Sequence, residues 1–169
     1  MEATAKLYSL NLHNTRTYLF ALFFVAGNII VPQLCHLIPN GGLMFLPIYF
    51  FTLVGAYKYG LSVGMITAVF SPLLNHVLFG MPAAAILPAI MAKSVILVIS
   101  ASIVAKRFKK VSIVCMAAVV LSYQLLGTMI EWAMVSDFNA AIQDFRIGIP
   151  GMLLQVFGGY AVIRYILTK

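Results

Sequence analysis

The chain has 169 residues, 63% of them hydrophobic and only 9% charged, whereas a soluble domain of this size carries roughly a quarter charged. That excludes a soluble globular domain and implies an integral membrane protein; at about 20 apolar residues per crossing, the length admits at most six helices in one domain. The net charge of +7 is not a nucleic-acid surface, because the basic residues sit at the ends of apolar runs, where the positive-inside bias accounts for them.

Residues 1–16 are polar, with Lys6 and Arg16, and read as a short interfacial lead-in. The first span is expected over about 17–37, interrupted by Asn28 and Pro32. Pro39-Asn40-Gly41-Gly42 then turns the chain. A second span, 42–57, contains Pro47 and stops at Lys58, and a third covers 60–79. Gly80-Met81-Pro82 turns the chain into a fourth, 83–105, which the basic run Lys106-Arg107-Phe108-Lys109-Lys110 ends. The fifth covers 111–134, a more polar loop with Asp137, Asp144 and Arg146 follows, and the sixth covers 148–167. The first run has no small-residue cleavage site and reads as a span, not a removable signal.

The fold class is therefore an all-α membrane protein, a bundle of six transmembrane helices with both termini cytoplasmic. In this orientation Lys6, Arg16, Lys58, the four cations of Lys106–Lys110, Arg164 and Lys169 lie inside, and Arg146 alone lies in an outer loop. Glu131, Asp137 and Asp144 gather toward the outer face. Cys35 and Cys115 fall on opposite faces and so cannot pair within the chain.

Helices in lipid pack through small residues that let backbones approach. Such stripes are Gly60, Gly64, Ala68, Ser71 and Asn75 in the third span, and Ala85, Ala89 and Ala92 in the fourth, with Lys93 at the margin. The fifth offers Gln124, Gly127, Thr128 and Glu131, and the sixth Gly151, Gln155, Gly158 and Gly159. Their polar members share the outer half. By helix rise, Lys93 lies roughly 12–15 Å from its outer end, Gln124 about 14 Å, Gln155 about 10 Å, and Asn75 and His76 roughly 5 Å. Asn75, His76, Lys93, Gln124, Glu131 and Gln155 are the candidate substrate-binding residues of an outward-facing chamber, capped by the loops after spans one, three and five.

Each has a plainer use. Gln124 and Gln155 serve equally as interhelical hydrogen bonds, His76 as a residue reaching for headgroups, and Asn28 as a cap for backbone freed by Pro32. Trp132 fits an interfacial belt. Lys93 costs on the order of 2.5–3.5 kcal/mol in mid-membrane; a ligand role is favoured over an ion pair with Glu131. Pro47, Pro72 and Pro88 are expected to kink helices and widen the cavity. There is no phosphate-cradling G-x-x-x-x-G-K-[ST] loop, so ATP hydrolysis would fall to a partner. No nucleophile triad, H-E-x-x-H or metal-ligand spacing appears, so neither enzyme activity nor a cofactor is expected.

The run LPIYFFTLVGAYKYGLSVGMITAVFSPLLNHVLFGMPAAAILPAIMAK resembles the substrate-binding (S) components of energy-coupling factor (ECF) vitamin transporters. The likeness lies in Leu46-Pro47, Gly55, Gly60, Gly64, the Ser71-Pro72-Leu73-Leu74 bend and Gly80-Met81-Pro82; elsewhere it is one of topology. The resemblance implies a bacterial inner-membrane protein that binds a vitamin or related small molecule near the outer face. Its partners would be a transmembrane coupling subunit and two cytoplasmic ATPases. Span one, with Ala21, Ala26 and Gly27, departs from the alanine-spaced docking stripe of that family, and the alanines of span four are a substitute surface. A structural or assembly protein without a ligand, and an intramembrane enzyme using His76 or Glu131, are the competing readings.

Overall fold

A computed structural model describes residues 7–167. Lys6 and Lys169 lie outside the described residues. The chain is helical throughout, without strands among the described residues, and carries six helices long and apolar enough to cross a membrane. They are α1 (Thr15–Cys35), a second crossing made of α2 (Gly41–Phe45) and α3 (Pro47–Tyr59), α4 (Leu61–Phe79), α5 (Leu87–Phe108), α6 (Ile113–Val135) and α9 (Ile149–Ile166). Two short helices, α7 (Phe138–Ala141) and α8 (Gln143–Ile147), bridge α6 and α9.

Local chemistry sets the ends. Asn14 accepts the Arg16 amide at 3.0 Å to cap α1, Ser112 caps α6 through the Cys115 amide at 3.1 Å, and Asp137 caps α7 through Asn139. The second crossing is broken where a single helix was expected: Leu46 takes a left-handed φ of 46° and Pro47 opens α3. Pro47 and Pro88 occupy first-turn positions, where proline fits the missing amide partner and bends nothing. Of the three prolines expected to kink, only Pro72 lies inside its helix, as does Pro32 in α1. The fourth span starts at Leu87 because residues 80–86 form the turn, which places Lys93 about 9 Å from its helix start by rise, shallower than expected.

α3 is the central and most enclosed crossing, packed on α1, α4 and α5, with α5 and α6 paired beside it. Gly64 makes the α3–α4–α5 junction possible: a Cβ there would lie 2.6 Å from Ala56 Cβ and 2.8 Å from Val98 Cγ1. Ala68, Ser71 and Asn75 continue that stripe, buried. The alanine stripe of the fourth span does not hold together, since Ala85 is exposed in the turn and only Ala89 is buried. The inner face of α5 is instead Ala89, Lys93, Leu97, Ala101 and Ala105. On α1, Leu22 and Phe23 point outward, as a helix facing lipid would.

The two ends of the bundle differ in charge. Arg16 and Leu167 border one groove and Tyr8, Lys106 and Lys109 another, so both described chain ends meet at the basic end. The chain entering α1 is tied there by Tyr8 and Leu10 amides to the Lys58 and Tyr59 carbonyls, at 2.8 and 3.1 Å. Glu131, Asp137 and Asp144 follow from the opposite end of α6, about 34 Å away by helix rise. Cys35 and Cys115 are both free thiols.

Candidate functional site

The six candidate residues separate into two groups. Asn75 belongs to a polar lattice among α1, α3 and α4. Its Nδ2 donates to the Asn28 carbonyl at 2.8 Å and the Ser71 carbonyl at 2.9 Å, and its Oδ1 accepts from Gln33 at 3.3 Å. Asn28 in turn donates to Thr52 Oγ1 at 2.9 Å and Ser71 Oγ at 3.1 Å. Every polar atom of the Asn75 side chain is thus engaged within the protein. His76 Nδ1 lies 2.7 Å from the Pro82 carbonyl and fixes the α4–α5 turn. Beside this lattice an apolar cleft of about 360 Å³ runs between Pro32, His36, Leu43, Pro47, Ile86 and Ile90, with Asn75 on its wall.

Lys93, Gln124, Glu131 and Gln155 form the second group. Lys93, 3% exposed, ion-pairs through Nζ with Glu131 Oε2 of α6 and, at 2.7 Å, with Asp144 Oδ2 of α8. The ion pair with Glu131, the alternative set below a ligand role, therefore exists, and a second carboxylate joins it. Asp144 gets there because α7 and α8 fold the polar loop back over the end of the bundle. α2 closes the same region from the other side. A Cβ on Gly148 would fall 2.7 Å from Leu46 Cδ1, and one on Gly151 would strike the Phe45 carbonyl oxygen.

Beneath the ion cluster the interior stays polar. Tyr123 donates to Gln155 Oε1 at 2.8 Å and lies against Tyr49, ring centroids 5.3 Å apart. Both tyrosines lie within electrostatic reach of Asp144, and Tyr49 of Glu131 as well. Gln155 sits in a π-helical turn, Leu154–Gly158, a local geometry that recurs at functional sites. Gln124 and Gln155 are fully buried. Among the described residues, the buried side-chain atoms without a hydrogen-bond partner concentrate here: Ser94 Oγ, both ends of the Gln124 amide, Thr128 Oγ1 and Gln155 Nε2, besides Glu131 Oε2, which Lys93 pairs. The remaining two are Asn28 Oδ1 and Ser102 Oγ.

Asp144, Tyr49 and Ser94 were not among the candidates. A lysine too costly to leave unmatched in a span, set against the few acids in the chain, was the one signal that pointed toward Asp144. Trp132 is half exposed and stacks edgewise on Phe138, centroids 5.5 Å apart, the position of a belt residue. No group of three His, Cys, Asp or Glu side chains among the described residues is placed to hold a metal.

The geometry defines the class: a polytopic helical bundle with a buried cluster of ionic and amide side chains at its acidic end. No family model matches the chain, and no curated protein or solved structure matches it either.

Proposed function

We propose that the chain is the solute-binding membrane subunit of an ECF-type transporter. It takes a vitamin-like small molecule at its outer, acidic end, with both termini on the cytoplasmic side of the bacterial inner membrane. A transmembrane coupling subunit and two ATPases would power uptake. The observation that carries this reading is Gln124. It is enclosed, one turn from the point where Lys93 crosses α6, and neither end of its amide is hydrogen-bonded. A buried donor or acceptor left without a partner costs about 1–3 kcal/mol, and a polar solute would supply what the fold does not. Small-molecule sites have this character, enclosed walls with a few convergent polar groups.

The Asn28–Thr52–Ser71–Asn75 lattice favours a second reading, in which the polar residues only knit helices together in a structural or assembly protein. Native mass spectrometry of the purified protein, followed by thermal unfolding with any retained molecule added back, separates the two. A retained small molecule that raises the melting temperature supports the transporter subunit, since binding to the native state alone stabilises it. A bare chain whose melting point no solute moves sinks it and leaves the assembly reading.

A further inference from the structure

A lysine in mid-membrane suggests an anionic ligand, but its surroundings reverse that expectation. The cluster holds one ammonium and two carboxylates, so with all three ionised its formal charge is −1. Among the described residues Lys93 is the only cation paired with either acid, and Arg146, two residues from Asp144, is exposed. Each carboxylate offers Lys93 one oxygen and keeps a second acceptor oxygen. A carboxylate or phosphate entering here would add negative charge to a low-dielectric site that already has an excess of it.

The walls fit the opposite class. Tyr49 and Tyr123, ring centroids 5.3 Å apart, share this interior with Gln155, and aromatic rings attract a flat cation. Gln124 supplies a free carbonyl and a free amide, and Gln155 a free amide, enough to orient a ring with mixed donors and acceptors.

We propose that the solute of this chamber is a planar cation with N–H donors, an amidinium or a protonated amino-heterocycle, held by Glu131 and Asp144. Lys93 offsets half of the carboxylate charge, which leaves a single surplus negative charge for the solute to balance. The proposal rests on the solute-site reading above and adds the sign of the charge.

Three probes of one shape and three charges test it: benzamidine, benzamide and benzoate, each at millimolar concentration with the full-length protein in nanodiscs, read by thermal unfolding and by the charge of any molecule retained in native mass spectra. Benzamidine is expected to bind about tenfold or more tightly than either of the others. Asp144→Asn should remove that preference, read as a fall in the ratio of benzamidine to benzamide affinity; should this variant fail to fold, Glu131→Gln replaces it. A preference for benzoate, equal binding of all three, or a retained anion overturns the cationic class while the solute-site reading stands. No binding of any probe together with no retained molecule overturns both.

Discussion

Gly127 of α6 lies directly under the stem of Lys93: a Cβ there would fall 2.6 Å from Lys93 Cγ. The glycine lets the lysine cross the helix and reach two acids on different elements. Gly127→Ala gains up to about 1 kcal/mol of helix propensity. It must also push aside a chain anchored at its far end by two ion pairs, which costs about 1–3 kcal/mol. The expected sum is a net loss of stability in the wild-type background. In a Lys93→Met background the anchor is gone and the same change should be neutral or stabilising. A double-mutant cycle in thermal or denaturant unfolding measures the difference, and additive effects would show that the crossing carries no coupling.

The surplus carboxylate predicts an asymmetry among the three ionic residues. Lys93→Met leaves two acids facing each other without a counter-charge and should cost about 3–5 kcal/mol. Glu131→Gln or Asp144→Asn leaves a neutral pair and should cost under about 1.5 kcal/mol. Equal losses from all three, measured by unfolding in the same detergent, would contradict the charge count.

Asn75 separates packing from binding. Its amide is committed to Asn28, Ser71 and Gln33, so Asn75→Leu strands the Asn28 carbonyl, whose helical partner would be the amide that Pro32 lacks, and should destabilise the protein by about 1–3 kcal/mol. Solute binding in the Lys93 chamber should persist in this variant. A loss of binding with unchanged stability would return Asn75 to the site.

Orientation has a direct check. With Cys35 and Cys115 replaced by serine, Asn139→Cys at the acidic end should react with an impermeant maleimide in intact cells. Lys109→Cys at the basic end should react only after permeabilisation. The reverse pattern would invert the positive-inside assignment.

Much of this protein could be read from its residues. The six crossings followed from apolar run length and turn residues, because lipid requires every backbone group in a span to be bonded within its own helix. Gly64, Ala68, Ser71 and Asn75 were recognisable as a packing face because helical spacing puts them on one side. Pro47 and Pro88 start their helices instead of bending them, since whether a proline bends a helix or opens it depends on where the preceding turn ends. The single chamber also divided in two. Depth along a helix says how far down a residue lies but not which neighbour it turns toward, so Asn75 joined the hydrogen-bonded lattice of α1, α3 and α4 while Gln124 lies beside the Lys93 cluster without a partner.

The sequence by itself determined the class: a charge-poor, six-span helical chain with most of its cations at one end and three of its four acids at the other, since composition and periodicity act locally. What only the tertiary structure decided was the company Lys93 keeps. Asp144 is fifty-one positions away along the chain and reaches the lysine because α7 and α8 fold back across the bundle end, and α2 closes against them. Net charge in a buried cluster is a sum over neighbours in space, so a lysine that reads by itself as a lone buried cation sits, between two carboxylates, in a cluster with a surplus of negative charge.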